Sequence, residues 1–132
     1  MDEIKIAALQ KSVGTDIGLS DWVVIDQERI NKFAEATGDF QWIHVDEARA
    51  SRELPGGKTI AHGYLTLSLI PWLCKGNLKV EGASRGINYG SNKVRFASMV
   101  PVGSRVRARQ KLMEARPRGD SLQVLTAVTI EI

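Results

Sequence analysis

Positions Ile30, Phe33, Ala34 and Thr37 stand at i, i+3, i+4 and i+7, the spacing of a helix with one buried face. Asp26 suits the N-cap of that helix and Glu28 its first turn, where a negative charge meets the helix dipole. Gly38 suits its end, where chains commonly turn left-handed. A second pattern runs from Gly63 to about Leu73: Tyr64, Leu65, Leu67, Leu69, Ile70 and Trp72 leave almost no polar face. A helix apolar all round belongs inside a protein. Pro71 lacks an N–H and frees the carbonyl of Leu67, so a kink is predicted there.

Two shorter helices complete this class. One covers residues 3–13, with Ile4, Ala7, Ala8 and Lys11 at helical spacing; the other begins at Asp46 and covers Glu47 to Arg52. Asp21 to Ile25 reads as a strand, and the Pro and Gly content of Glu53 to Lys58 reads as a loop. After Gly76 the pattern turns extended, predicting strands over 85–96, 104–115 and 121–132. Met99 to Gly103 links the first two, and Arg116 to Asp120 forms a hairpin connection between the last two. The expectation is one α+β domain over residues 1–132, an antiparallel sheet with the apolar helix as its cover.

Composition narrows the class. At 132 residues the chain can bury one core, and 43% hydrophobic with 25% charged residues excludes disordered and fibrous classes. The apolar run Leu67–Cys74 is far too short to cross a bilayer, and the first five residues lack the features of a secretion signal. A cytoplasmic address and no membrane partner are expected. A lone Cys74 cannot form an internal disulfide and reads as core filler. A net charge of +3 does not by itself mark a polyanion binder. Arg105, Arg107, Arg109 and Lys111 alternate with Val106, Ala108 and Leu112 nearby, which places the cations on one strand face. That face is either the wetted side of a sheet or a seat for a phosphate-bearing ligand. Nucleic acid is not expected, because no aromatic residues are interleaved with the arginines.

Asp39 and His44 bring a carboxylate and an imidazole close in sequence, just after Gly38. On a helix, residues five apart diverge by about 140°, and on a strand an odd spacing sends them to opposite faces. They converge only if the connection curls, and Gly38 starts such a curl; from spacing alone a turn-forming Asp39 and a surface His44 are the favoured reading. His62 reads as a cap or packing residue. Two histidines and one cysteine without ligand spacing argue against a zinc site. Ser68 has no nucleophile-elbow context. Gly63, at a helix start, has an N–H without an intrahelical partner, and the missing Cβ lets a carbonyl approach its backbone.

Taken together, Ala36 to Asp46 (ATGDFQWIHVD) and Ile60 to Leu69 (IAHGYLTLSL) resemble the MaoC-like dehydratases, the (R)-specific enoyl-CoA hydratases. The resemblance continues through Ile87-Asn88-Tyr89-Gly90, Lys93-Val94-Arg95-Phe96 and Pro101-Val102-Gly103-Ser104, and is strongest to the branch that includes nodulation protein N-like sequences and actinobacterial relatives. It implies a hotdog fold, an antiparallel sheet wrapped around a long central helix from Gly63 to about Lys75, and a homodimer with an acyl-thioester tunnel near the subunit interface. By position, Asp39 and His44 match the catalytic pair, and Gly63 matches the glycine whose N–H binds the thioester carbonyl. Ser68 falls near a serine that some members place in the site, and Gln41 and Tyr64 flank these positions. The family's Asn-Pro is replaced here by Gln41-Trp42, which bears on tunnel width and chain-length preference. Relatives usually continue past the position of Ile132 into another strand, so the expectation is a chain either shortened or incompletely represented, and a missing strand would leave an exposed sheet edge.

The activity so implied is reversible syn addition of water to a trans-2-enoyl thioester. It needs no metal and no cofactor beyond the coenzyme A or carrier-protein arm of the substrate, whose phosphates Lys58, Lys75, Lys93 or the Arg105 row would meet. A thioesterase of the same fold, with Asp39 as base, is the alternative within the enzyme class. A non-catalytic acyl-thioester-binding subunit of a heteromeric dehydratase is the alternative outside it.

Overall fold

The computed structural model describes residues 3–132. Its contacts fall into two interleaved units: Met1–Asp21, Pro71–Val94 and Ala108–Glu131 form one, and Trp22–Ile70, Arg95–Arg107 and Ile132 the other. In order the elements are helix α1 (Glu3–Gln10), strands β1 (Asp16–Leu19) and β2 (Val23–Val24), and helices α2 (Gln27–Thr37), α3 (Trp42–Val45) and α4 (Glu47–Glu53). A 3-10 turn (Pro55–Gly57) follows, then helices α5 (Gly63–Ser68) and α6 (Ile70–Leu73) and strands β3 (Arg105–Arg118) and β4 (Ser121–Glu131). The architecture is α+β.

Strand β3 is the spine of the sheet. β1 and β2 pair antiparallel with it, Leu19 opposite Arg109 and Val23 opposite Val106, and β4 pairs with it as well. Its side chains alternate as the period of two predicts: Val106, Ala108, Gln110 and Leu112 are buried, while Arg105, Arg109 and Lys111 are exposed. The hairpin to β4 is tighter than expected. β3 runs on through Arg116 and Arg118, which leaves only Gly119 and Asp120 as the turn.

Helix α2 forms as its pattern demands. The Asp26 carboxylate accepts from the Arg29 N–H at 2.8 Å, and Gly38, at φ 81°, donates its N–H to Ala34 O. Ile30 and Ala34 are fully buried in the second unit, with Ile25 and Val106. Burying a side chain of this kind contributes roughly 1.5–3 kcal/mol.

Several expectations need correction. The strand over 85–96 does not form; the segment has no ladder partner among the described residues and is exposed throughout. Its apolar residues suit a strand, but a strand exists only where another backbone completes its hydrogen bonds. The long apolar helix is two short ones, broken at Leu69, two residues before Pro71. It is not buried all round: Leu65, Leu69 and Leu73 point inward, while Tyr64, Ser68 and Trp72 are exposed. The chain's own core covers one stripe of it only. Helix α1 stops at Gln10 and buries Ile6, leaving Ala7 and Ala8 exposed; the side chain of Ile4 lies outside the described residues. The strand expected over Asp21–Ile25 contracts to Val23–Val24, and strand β1 and helix α3 were not anticipated. No helix among the described residues is long and apolar enough to cross a membrane.

Candidate active site

The site residues come from three pieces of the second unit: the turn after α2, helix α3, and the segment entering α5. Gly38 turns the chain left-handed, and the Asp39 carboxylate then accepts from the Gln41 N–H at 3.3 Å. Gln41 caps α3, its carbonyl accepting the His44 N–H at 3.0 Å. This single turn of helix supplies the curl that spacing alone left open. One carboxylate oxygen of Asp39 and one ring nitrogen each of His44 and His62 lie within 4.8 Å of one another. Asp39 is exposed, whereas His44 and His62 are only 7% and 2% accessible.

Both imidazoles are held in a defined tautomer. A carbonyl can only accept, so the His44 Nδ1–H donates to Ile60 O at 2.7 Å, and in the neutral ring the lone pair is on Nε2. By the same argument the His62 Nε2–H donates to Asp39 O at 3.0 Å. The two rings stack at 3.8 Å between centroids and 24° between planes, and Phe33 lies 4.9 Å from His62. His62 was expected to cap or pack; it does not cap α5 by its side chain, and it packs against both neighbours.

The fold, not sequence spacing, brings the three potential metal ligands together. In the neutral rings His44 Nδ1 and His62 Nε2 are already engaged as donors to Ile60 O and Asp39 O, which leaves only the opposite nitrogens as ligands, and His62 Nδ1 is buried.

Residues that the sequence did not single out support this cluster. Gln27, at the start of α2, donates from Nε2 to His44 O at 2.8 Å and accepts the Thr59 hydroxyl on Oε1 at 2.6 Å. Thr59 is buried, and its carbonyl accepts the Val102 N–H. The backbone of α3 is thereby tied to α2 and to the segment that carries Ile60. Nothing in the local pattern marks Gln27; only its position one residue after the cap Asp26 hints at it.

Gly63 directly follows His62 and begins α5, so its N–H has no intrahelical acceptor. The space that a Cβ would fill is not open to a ligand, however. A methyl group there would lie 2.9 Å from Cγ of Phe96, so the glycine makes room for that ring. Tyr64 meets the same ring edge-on at 5.7 Å. Ser68 is further along α5 and exposed, its hydroxyl donating back to Tyr64 O at 2.6 Å. Gln41 is exposed, and Trp42 lies beneath the Arg49 guanidinium at 4.0 Å.

The arginine row is engaged on its own face. Arg105 and Arg107 lie 5.4 and 4.4 Å over the Trp22 ring, and Arg109 pairs with Asp16 and Glu131. These contacts favour the wetted-face reading over a phosphate seat. Cys74 is half-buried, and burial pushes its thiol pKa up.

Comparison with known proteins bears on this arrangement. Residues 8–131 match the model of the MaoC like domain. Over 128 residues the chain is 49% identical to 3-hydroxyacyl-thioester dehydratase Z of Mycobacterium tuberculosis H37Rv, covering 96% of this chain and 84% of the relative. It is 46% identical over 134 residues to nodulation protein N of Rhizobium leguminosarum bv. viciae, covering 100% of this chain and 83% of the relative. The solved structure of unliganded R-hydratase PhaJ1 from Pseudomonas aeruginosa superposes with a TM-score of 0.70 at 24% identity, over 89% of this chain and 70% of that one. The resemblance seen in the Asp39–His44 and Gly63 segments thus extends along nearly the whole sequence, and the chain belongs to the MaoC-like dehydratase family, with its hotdog fold.

Proposed function

We propose that the protein is a hydro-lyase that adds water reversibly to a trans-2-enoyl thioester, giving the (R)-3-hydroxyacyl thioester. The observation that carries this reading is the fixed tautomer of His44 beside the Asp39 carboxylate. Two hydrogen bonds of about 2.8 Å to one tetrahedral water span about 4.6 Å, a length compatible with the 4.8 Å limit on the separation of the Asp39 and His44 groups. His44 Nε2 carries the lone pair that can take a proton from that water.

In the hydration direction the water oxygen bonds to Cβ, and its proton passes to the Asp39–His44 pair. The double-bond electrons move toward the thioester, forming an enolate, and the pair delivers one proton to Cα on the same face. The net change is one water added, with the pair restored. The Gly63 N–H meets the developing negative charge on the thioester oxygen; helix α5 has only six residues, so this role falls on the amide rather than on a long helix dipole. Such a donor is worth ~3 kcal/mol of transition-state stabilisation. Gln41 and Tyr64, both exposed, are assigned to the acyl path, with Ser68 beyond them.

The substrate arm is coenzyme A or a carrier protein, and no further cofactor enters the reaction. Its intracellular supply supports a cytoplasmic address. A second copy of the chain is proposed as cover for the apolar residues beside the site. Phe40, Tyr64, Phe96 and Met99 are 58%, 67%, 51% and 61% accessible, more apolar surface than a closed thioester tunnel would leave wet.

The test is hydration of crotonyl-CoA by purified protein, followed as loss of enoyl absorbance, with free thiol measured in parallel. Asp39→Asn and His44→Ala each lower the hydration rate by roughly 10²–10⁴-fold while circular dichroism is unchanged. Near-normal rates in either variant refute the assignment. Absorbance loss matched by equal thiol release means a thioesterase, absorbance loss without thiol means hydration, and binding without turnover means a non-catalytic subunit.

A further inference from the structure

Resting on the hydratase reading, we infer that His62 is a positioning residue, which sets the catalytic pair by holding the Asp39 main chain and the His44 ring at once. His62 is almost completely buried, an uncommon place for a polar ring without a task. Its Nε2–H donates to Asp39 O at 3.0 Å, across twenty-three residues of sequence. The carbonyl it holds belongs to the residue whose carboxylate must face the water. One face of the same ring lies 3.8 Å from His44, and Phe33 packs near it at 4.9 Å.

The second nitrogen of the ring is informative. His62 Nδ1 is buried without a hydrogen-bond partner. A ring placed only to fill space would suit an apolar residue better, since an unmatched polar atom in the interior is unfavourable. The unmatched Nδ1 is tolerated because the opposite nitrogen makes the bond to Asp39. That bond also defines the tautomer, Nε2–H with Nδ1 bare. His44 is held in the reverse sense by Ile60 O, so the stacked rings carry their protons on different nitrogens. His62 touches no reacting atom in this scheme; it acts through Asp39 and His44.

Two substitutions separate the hydrogen bond from the packing. His62→Gln keeps a nitrogen donor four bonds from Cα, as Nε2 of histidine is, but loses the aromatic face. His62→Phe keeps an aromatic face and loses the donor. If the bond to Asp39 O positions the pair, His62→Phe lowers kcat by roughly 10- to 100-fold, with KM within about 2-fold of the parent, since small misplacements of catalytic groups act on the chemical step. His62→Gln then recovers kcat to within about 3-fold of the parent. Equal losses in both variants, or a loss confined to KM, overturn the inference. So does unaltered kcat in His62→Phe.

A readout independent of turnover keeps this distinct from the hydratase reading. With two histidines in the chain, ¹⁵N–¹H correlation of the imidazoles resolves both, and the His62→Gln spectrum assigns them. His62 is expected as the Nε2–H tautomer and His44 as the Nδ1–H tautomer. His62 with its proton on Nδ1 overturns the inference whatever the activity. Loss of all hydration in the parent protein, with the tautomers as expected, counts against the hydratase reading alone.

Discussion

Replacing Gly63 by alanine tests how the amide proposed to meet the oxyanion is kept in place. The added Cβ would lie 2.9 Å from Phe96 Cγ, and ordinary carbon–carbon contact begins near 3.5 Å, so the ring must retreat by about 0.6 Å. Phe96 is about half exposed and can give way, which limits the stability cost. Overpacking costs about 1–3 kcal/mol, and exchanging glycine for alanine in a helix returns about 0.5–1 kcal/mol. The net change in unfolding free energy is therefore small, ~1 kcal/mol. Activity responds more strongly, because the alternative to moving Phe96 is moving the Gly63 amide itself. A misplacement approaching 1 Å can cost ~10²-fold in rate. Measured as kcat/KM for crotonyl-CoA hydration, Gly63→Ala should fall by roughly 10- to 100-fold. The decisive measurement is the cycle with Phe96→Ala. If the defect is transmitted by the ring, removing the ring restores most of the loss in the double variant, with a coupling above about 1 kcal/mol. Strict additivity of the two substitutions would refute this account and return the defect to direct crowding of the substrate carbonyl.

Two further outcomes follow from other parts of the molecule. Thr59→Val keeps the shape but removes the hydroxyl that donates to Gln27 Oε1, so the Gln27 clamp on His44 O loosens. It should destabilise the protein by about 1–3 kcal/mol in urea unfolding and lower kcat more than it raises KM; an unchanged urea midpoint would remove Thr59 from the scaffold. Cys74, whose thiol pKa is raised by burial, should react with a thiol reagent more slowly than free cysteine at neutral pH. Because the thiolate appears only as pH climbs past the ordinary thiol range, the rate should rise later with pH, and urea should abolish the difference. A folded-state rate equal to that of free cysteine would contradict the burial.

The elements legible in the sequence were those whose partners lie within a few residues. Helix α2 announced its cap, its buried face and its end, because Asp26, Ile30, Ala34 and Gly38 satisfy one another locally. Strand β3 announced its two faces, because Val106, Ala108 and Leu112 alternate with cations. The segment 85–96 misled for the same reason in reverse. Its residues favour extension, but pairing is a property of a second backbone, and none of the described residues supplies one. The split at Leu69 and the exposed Tyr64 and Trp72 likewise depend on how much of α5 and α6 the core covers, which composition does not encode.

For the site, the residues Asp39, His44 and Gly63 were readable as chemistry and as a family likeness, while their geometry was not. The amino-acid sequence by itself determined which groups were available: a carboxylate after a helix-ending glycine, an imidazole five residues on, and an amide without a helical acceptor. Only the tertiary structure decided which ring nitrogen of His44 is bare, that Phe96 occupies the space left by Gly63, and that His62 bridges the pair. Each of those depends on a carbonyl or ring brought from at least sixteen residues away, and hydrogen bonds and ring stacking are settled at distances of a few ångströms that no local pattern fixes.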